Sequence, residues 1–301
     1  MSGRPRDCVV EGEHLVLDDG TTVAESSATY LPPVSPGTIV CVHLNYRSRA
    51  DEFGVAIEGA HPTYFLKPPT AINAHGGNLV RPEDCALMNY EGEIAAVVGR
   101  PMRRVRPRDA WDYLAGFACA NDVGVHDFRD TDAGSMLRVK GQDGFCPIGP
   151  GVVSGVDVRR STLSTYVNGE KVQSGAVAEM VWDIGELLAD ITRHITLRPG
   201  DIVLTGTPWH SRPVFPGDLV EVEVDGLGRL SNRVVEGPSP ENHSGFPATV
   251  TKTSLGVALG SDYHVLKARG TPPSADQYRS HRTELVTANM TAARPPRRGP
   301  S

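Results

Sequence analysis

The chain has 301 residues, of which 39% are hydrophobic and 22% are charged, as in a globular protein with enough apolar residues for one large core. Its formal net charge of -6 and its scattered basic residues argue against a nucleic-acid partner. No apolar run approaches about 18 residues, no secretory signal is visible, and the five cysteines form no paired framework, so the sequence predicts a cytoplasmic protein without a membrane partner.

The first 36 residues are predicted to form a small β unit. Short apolar stretches between Val9 and Tyr30 alternate with turn residues such as Asp19-Gly20, a pattern typical of a hairpin or a small sheet. The Leu31-Pro32-Pro33 segment interrupts this pattern and is predicted to separate the unit from the rest of the chain.

The main body is predicted to extend over residues 37–236 and to be mostly β with some α. Its segments rich in Val, Ile, aromatic residues or Ala are predicted to be strands. These segments are residues 38–44, 91–98, 115–123, 165–167, 202–204 and 219–224. Asn168-Gly169 is a strong hairpin signal, and Pro-Gly-Asp precedes two of the strands.

Two helices are predicted within this body, at residues 108–114 and 184–194. The second has its apolar residues at helical spacing and stops ahead of Pro199-Gly200. The dense patterning ends at about residue 236, so residues 237–291 are described only as a C-terminal extension. The Pro- and Arg-rich residues 292–301 are predicted to be a disordered tail.

Three carboxylates are placed by the predicted strands in a pattern that suits a metal ion. Glu91 and Glu93 flank Gly92 at the start of one strand and share a face because strand side chains alternate, while Asp122 ends the next strand. Three acidic oxygen ligands suit Mg²⁺ or Mn²⁺ and leave coordination positions for water or a chelating substrate. The alternative is that the glutamates form a solvent-exposed face, but their apolar surroundings make unpaired carboxylates costly.

Short motifs occur in unbroken order between residues 37 and 236. They are Asn45-Tyr46-Arg47, Phe65-Leu66-Lys67-Pro68, Met88-Asn89-Tyr90-Glu91-Gly92-Glu93, Ala115-Gly116-Phe117, Asn121-Asp122, Arg138-Val139-Lys140-Gly141-Gln142-Asp143-Gly144, Asn168-Gly169-Glu170, Pro199-Gly200-Asp201 and Thr205-Gly206-Thr207-Pro208. Together they resemble the fumarylacetoacetate hydrolase superfamily. Within it, two segments are most similar to the 2-hydroxyhepta-2,4-diene-1,7-dioate isomerase and 5-carboxymethyl-2-oxo-hex-3-ene-1,7-dioate decarboxylase members: Leu137-Arg138-Val139-Lys140 and Gly226-Leu227-Gly228-Arg229-Leu230-Ser231-Asn232-Arg233.

The resemblance implies a mixed β-sheet roll, a homodimer, and an Mg²⁺ or Mn²⁺ ion held by Glu91, Glu93 and Asp122. It also implies that Lys140 lies near the substrate, where an ammonium group can pair with a carboxylate or move protons; the alternative is a solvated surface lysine. The resemblance also supplies candidate substrate-binding residues, which are Lys67, Gln173, Thr207, Asn45 and Tyr46. For Gln173 and Thr207 the alternative is a purely structural role in a hairpin and a turn.

The sequence departs from the family pattern at two positions. Many hydrolytic members have a histidine and a glutamate after Asn-Tyr, whereas this chain has Arg49 at the histidine position and retains Glu52. Because a guanidinium group stays protonated, Arg49 cannot act as a general base, and it is instead a candidate anion partner, with Glu52 as a candidate proton carrier. His126 stands where the family usually has arginine, either as a titrating group or as a packing substitute.

The sequence therefore predicts a metal-dependent enzyme that decarboxylates or isomerises a small 2-oxo or 2-hydroxydienoic dicarboxylic acid, as in aromatic-compound catabolism. A metal that chelates a 2-oxo acid stabilises the enolate that such reactions form. One alternative is a C–C bond hydrolase of acylpyruvate or fumarylacetoacetate-type substrates, with Glu52 acting on metal-bound water. The other is a catalytically silent member that binds a metal or a ligand.

Overall fold

The computed structural model describes residues 5–12, 14–57, 59, 61–238, 246–270 and 272–291. The predicted disordered tail at residues 292–301 lies outside the described residues.

In chain order the strands are β1 (Cys8–Glu11), β2 (His14–Leu17), β3 (Thr22–Ala24), β4 (Ile39–Val42), β5 (Tyr64–Lys67), β6 (Ile72–Asn73), β7 (Leu79–Arg81), β8 (Met88–Asn89), β9 (Gly92–Val98), β10 (Leu114–Asn121), β11 (Gly124–Val125), β12 (Cys146–Val153), β13 (Thr162–Val167), β14 (Glu170–Ala176), β15 (Ile202–Leu204), β16 (Leu219–Val224) and β17 (Gly228–Glu236). The helices are α1 (Arg47–Phe53), α2 (Pro107–Ala110), α3 (Arg129–Asp132), α4 (Leu137–Lys140), α5 (Ile184–His194), α6 (Lys252–Leu259), α7 (Ser261–Ala268) and α8 (Ala275–Thr291).

Two sheets form the body of the molecule. The larger has the order β5-β4-β15-β9-β10-β12-β6, and the smaller has the order β14-β13-β16-β17-β7. Apolar residues from facing strands of both sheets, such as Ile94 of β9 and Leu163 of β13, share one core. The predicted mixed β-sheet roll is confirmed, and β1, β2 and β3 form the predicted small N-terminal sheet.

Strand β9 lies in the middle of the larger sheet and is buried along its whole length. Ile94 belongs to the core shared with the smaller sheet, whereas Ala95 packs on the opposite side with Val139 of α4. Because strand side chains alternate, Glu93 lies on the same face as Ala95, under the α4 segment. The fold thus directs the predicted metal ligands away from the shared core.

The two helices predicted in the body differ in outcome. Helix α5 has the predicted bounds, and it begins with a capping box in which Asp183 and Glu186 satisfy each other's backbone N–H groups. The helix predicted at 108–114 corresponds to α2 and the 3-10 turn at Trp111–Tyr113 that follows it directly, and helical structure ends one residue earlier than predicted because Leu114 pairs with Val98 as the first residue of β10. Sheet pairing decided this boundary over helix propensity.

The C-terminal extension contains helices that the sequence did not indicate. Helices α6, α7 and α8 bury residues such as Leu259, Leu266 and Tyr278 against Leu87 and Phe215 of the body. Each helix buries only a few residues, so its hydrophobic pattern is weak. None of the described helices is both long and apolar enough to span a membrane.

Candidate metal centre

The three predicted ligands meet where β9 begins and β10 ends. In the antiparallel register Glu93 lies opposite Ala120, and the N–H of Asp122 donates to the carbonyl oxygen of Glu91 at 2.8 Å. One carboxylate oxygen from each of Glu91, Glu93 and Asp122 lies within 4.8 Å of the others. The predicted convergence of three carboxylates is therefore present, and a single ion could contact all three.

Gly92 separates the two glutamates and faces strand β13 of the smaller sheet. A Cβ atom at this position would lie 2.1 Å from Thr165 Oγ1 and 3.3 Å from Leu163 Cδ2. The absence of a side chain therefore allows the ligand-bearing strand to approach β13 closely.

We expect Gly92→Ala to destabilise the protein by about 1–3 kcal/mol, because the added methyl group overlaps Thr165. Chemical denaturation measures this loss. The matched control is Gly151→Ala, since Gly151 also lies in a strand but a Cβ there meets nothing within 4 Å. Equal stability changes in the two variants would show that close packing at Gly92 is not required.

Two buried lysines contact the carboxylates. Lys140 Nζ donates to Glu91 Oε2 at 2.5 Å and to the carbonyl oxygen of Asp122 at 2.8 Å, and it lies 3.2 Å from Asp122 Oδ2. Lys67 Nζ donates to Asp122 Oδ1 and, at 3.0 Å, to the carbonyl oxygen of Val123. Lys140 is 3% exposed, so the alternative of a solvated surface lysine is wrong.

The charges of the ligands are unequally compensated. Burial disfavours the charged form of Glu91, but Lys140 and Arg49 outweigh it and lower its pKa. Burial, together with the carboxylates of Asp122 and Glu91, raises the pKa of Glu93 well above its usual range. The N–H of Gly206 donates to Glu93 Oε2 at 2.7 Å but does not offset these effects. The site is thus short of positive charge at Glu93, where a divalent cation would supply it.

Arg49 and Glu52 lie together on α1, beside the metal ligands. Arg49 Nη1 donates to Glu52 Oε2 at 2.6 Å, and Arg49 Nη2 lies 3.5 Å from Glu91 Oε1. The guanidinium group also stacks over the Phe53 ring, 4.5 Å from its centroid. Arg49 therefore reaches the edge of the site, as its predicted role as an anion partner requires.

Glu52 is held by groups that leave it without a proton. Arg212 Nη2 lies 2.6 Å from Glu52 Oε1, and the N–H of His210 donates to Oε2 at 3.1 Å. Burial raises the pKa of Glu52, but Arg212 and Arg49 outweigh it and lower the pKa to about 2. A carboxylate of this acidity is a weak base near neutral pH, so the structure argues against the predicted role of Glu52 as a proton carrier.

Two of the candidate substrate-binding residues are already saturated with hydrogen bonds. The side-chain amide of Asn45 bonds the backbone of Trp182 and Thr205 at 2.8–3.1 Å. Gln173 Oε1 accepts from the N–H of Gly92 at 3.2 Å, and its Nε2 donates to the carbonyl oxygen of Pro208 at 3.0 Å. Both amides hold together the loops around the site, and their contact with substrate stays a prediction.

Thr207 and Tyr46 complete the candidate set. Thr207 is buried, and its hydroxyl accepts from Gln173 Nε2 at 3.1 Å. Tyr46 is fully buried, and its hydroxyl has no hydrogen-bond partner among the described residues. Burial, with a smaller effect of Glu93, raises the pKa of Tyr46, so its hydroxyl stays neutral and able to donate. Substrate contacts of both residues stay predictions.

His126 is buried, and neither of its ring nitrogens has a hydrogen-bond partner among the described residues. Burial and the charges of Arg129 and Lys140 lower its pKa well below the usual range. A neutral histidine in this position supports packing over titration.

Arg129, on α3, was not singled out from the sequence. It is half-buried, and its guanidinium group makes no hydrogen bond or ion pair with the part of the chain that the structure describes. Burial lowers its pKa, while Glu91 raises it and Arg49 lowers it further, so the group lies within electrostatic range of the site. A free arginine beside a metal centre is a candidate partner for a substrate carboxylate.

Comparison with known proteins identifies the relatives of this chain. The family model for the fumarylacetoacetate (FAA) hydrolase C-terminal domain matches residues 38–235. The 4-hydroxyphenylacetate degradation bifunctional isomerase/decarboxylase of Salmonella dublin is 37% identical over 241 residues, which are 77% of this chain and 56% of that protein. This chain thus spans little more than half the length of that relative.

Solved structures give the same result. The 5-carboxymethyl-2-hydroxymuconate delta-isomerase of Mycobacterium smegmatis is 33% identical, with a TM-score of 0.71 over 78% of this chain and 94% of that one. The fumarylpyruvate hydrolase of Pseudomonas aeruginosa, solved with Mn²⁺ and pyruvate, is 29% identical, with a TM-score of 0.63 over 70% of this chain and 99% of that one. The chain therefore belongs to the fumarylacetoacetate hydrolase family.

Proposed function

We propose that this protein is a divalent-metal-dependent enzyme that decarboxylates or isomerises a small 2-oxo or 2-hydroxydienoic dicarboxylic acid of aromatic-compound catabolism. The observation that carries the proposal is the convergence of Glu91, Glu93 and Asp122 within 4.8 Å, beside two buried lysines. The names of the isomerase and decarboxylase relatives support the reaction class.

The residues present fit an Mg²⁺ or Mn²⁺ ion. All three ligands offer carboxylate oxygens, which hard cations prefer. The pKa of Glu93 is raised partly because its carboxylate lies close to those of Asp122 and Glu91, and a bound cation would relieve this repulsion. The Mn²⁺ and pyruvate in the structure of the P. aeruginosa relative are consistent with this assignment.

When bound, the ion would act as a Lewis acid toward the keto oxygen and the adjacent carboxylate of a 2-oxo acid, and it would stabilise negative charge that develops on the keto oxygen. The protein's own groups orient the reactants. Lys140 holds Glu91 and Asp122 in place through its three short contacts. Arg49 presents its Nη2 at the edge of the site, where an anionic substrate group would enter.

Decarboxylation and isomerisation are favoured over hydrolysis because hydrolysis also needs a base that activates water. Arg49 cannot act as that base, and Glu52 has a pKa of about 2. Hydrolysis is the second candidate function, because the related P. aeruginosa protein is a fumarylpyruvate hydrolase.

Assays with oxaloacetate, an acylpyruvate and a hydroxydienedioate in the presence of Mn²⁺ test the proposal. We expect turnover of oxaloacetate or the hydroxydienedioate, and loss of that activity after treatment with EDTA. Turnover of the acylpyruvate alone, or activity that survives chelation, contradicts it. Mn²⁺-dependent binding of oxalate without turnover of any oxo acid would instead support the catalytically silent alternative.

Arg129 provides a test of the dicarboxylic substrate, because its guanidinium group has no partner among the described residues. We expect Arg129→Gln to raise the KM for oxaloacetate about 10-fold or more, since a charge-assisted hydrogen bond contributes about 1.5–3 kcal/mol. Inhibition by pyruvate, which lacks the second carboxylate, should change little. The control is Arg229→Gln, which removes an exposed arginine paired with Glu223. If Arg129→Gln weakens the binding of oxaloacetate and of pyruvate equally, Arg129 has no role in recognising the second carboxylate.

The proposal also includes the assembly, location and domain organisation predicted from the sequence. The protein is proposed to be a cytoplasmic homodimer. Residues 37–236 are proposed to be its catalytic domain, between the small N-terminal β unit and the C-terminal extension. Light scattering on the purified protein measures the oligomeric state.

A further inference from the structure

One buried arginine joins the C-terminal helices to the metal centre. Arg212 lies in the loop before β16 and is fully buried. Its Nε donates to Asp262 Oδ2, in the first turn of α7, at 2.8 Å, and its Nη2 lies 2.6 Å from Glu52 Oε1 on α1. Arg212 therefore contacts, with the same side chain, a helix outside the family match at 38–235 and a helix inside it.

The contacts continue without a gap to a metal ligand. Glu52 accepts from Arg49 at 2.6 Å, and Arg49 Nη2 lies 3.5 Å from Glu91 Oε1. Asp262, Arg212, Glu52, Arg49 and Glu91 thus alternate in sign, and we call them the buried charge chain. At its outer end, Asn289 of α8 donates to Asp262 Oδ1 at 2.7 Å. Both α7 and α8 therefore help to position the chain.

The backbone of the C-terminal segment also packs directly on this chain. Gly260, between α6 and α7, has a φ of +49°, and a Cβ there would lie 2.5 Å from Glu52 Oε1 and 2.7 Å from Arg212 Nη1. The turn between these helices thus covers the ion pair of Glu52 and Arg212. A side chain at residue 260 would displace that pair.

The type of residue at position 212 matters for this arrangement. Burying charges costs several kcal/mol per ion, so such groups need well-aligned partners. A planar guanidinium group can contact two carboxylates from different sides, whereas an ammonium group is a point charge. Arg212 Nη2 forms an ion pair with Glu52 and its Nε donates to Asp262, so one guanidinium group spans carboxylates on two different helices.

We propose that helices α6–α8 complete the active site, with Arg212 and Asp262 as positioning residues that hold Arg49, through Glu52, against the metal ligand Glu91. In this position Arg49 receives an anionic group of the substrate. The inference rests on the proposed function for the identity of that substrate. It adds to that function a segment of the chain that lies beyond the family match.

The test compares Asp262→Asn with Arg282→Gln. Arg282 of α8 pairs with Asp218 at 2.5 and 2.9 Å, so it also ties the C-terminal helices to the body, but it contacts no member of the buried charge chain. We expect Asp262→Asn to weaken Mn²⁺-dependent oxalate binding about 10- to 100-fold, because a displaced Arg49 no longer makes a charge-assisted hydrogen bond to the anion. Mn²⁺ affinity itself should change little, because the strands and the two lysines hold the ligands.

Hydrogen exchange provides a readout that does not depend on activity. Asp262→Asn should speed amide exchange in residues 47–53, whereas Arg282→Gln should leave exchange there and oxalate binding unchanged even where it lowers the thermal stability. Arg212→Lys is the second variant, and it should reproduce the loss of oxalate affinity although the positive charge is retained.

Three outcomes would overturn the inference. They are unchanged exchange and oxalate affinity in Asp262→Asn, an equal loss in Arg282→Gln, and full function of Arg212→Lys. A wild-type protein that binds neither Mn²⁺ nor oxalate contradicts the proposed function instead. In that case the exchange rates of residues 47–53 still decide whether α7 positions α1.

Discussion

The Glu93→Gln variant is expected to be more stable than the wild-type protein without metal, yet to bind Mn²⁺ at least about 100-fold more weakly. Burial, Asp122 and Glu91 all disfavour the Glu93 carboxylate, so a neutral amide of the same shape removes a repulsion. The same change removes one of three ligands, and replacement even of residues that only support ligands costs about 10- to 100-fold.

Thermal unfolding in EDTA and titration calorimetry with Mn²⁺ measure the two effects. The control is Glu223→Gln on β16, because Glu223 pairs with Arg229 at the surface and should affect neither quantity strongly. A metal-free Glu93→Gln variant that is less stable than the wild-type protein would show that Lys140 and Lys67 already compensate all three carboxylates. Retained Mn²⁺ affinity would remove Glu93 from the ligand set.

Lys140→Met is expected to act in the opposite direction. Removal of the ammonium group leaves Glu91 and Asp122 without their shared cation, and breaking a buried ion pair in this way costs about 3–5 kcal/mol. Saturating Mn²⁺ should restore part of this loss, because the ion brings positive charge to the same carboxylates. We expect turnover to stay low even with Mn²⁺, because the ligands have lost the group that orients them.

Urea denaturation in EDTA and in Mn²⁺ measures how much the metal stabilises each variant. Lys171→Met is the control, since Lys171 lies over the Tyr166 ring at the surface. Mn²⁺ should stabilise Lys140→Met more than it stabilises either the wild-type protein or this control. If Mn²⁺ stabilises all three equally, the ammonium group and the ion do not compensate the same carboxylates.

Local features of the chain were predictable because short-range rules determine them. Asn168-Gly169 predicted a hairpin, and both residues have positive φ, at 53° and 81°, in the turn between β13 and β14. Helix α5 was predicted with its full bounds from its apolar spacing. The two-residue period of a strand was enough to put Glu91 and Glu93 on one face.

The surroundings of the metal ligands were not predictable in this way. Lys67 meets Asp122 across 55 residues of sequence, and Arg212 meets Asp262 across 50. Such pairs depend on the order of strands in the sheet and on how loops pack over it, which no local pattern encodes. For the same reason the sequence did not reveal that the amides of Asn45 and Gln173 are already used by backbone groups.

By itself, the sequence determined the family, the type of sheet and the three carboxylates that converge in the candidate metal centre, since these follow from motifs, β propensity and strand periodicity. Only the tertiary structure decided the lowered pKa of Glu52, the lack of a partner for Arg129 among the described residues, and the packing of the C-terminal helices against the body. The physical reason is that charge and burial depend on distances between residues far apart in the chain. Those distances are fixed only when the sheets and helices pack together.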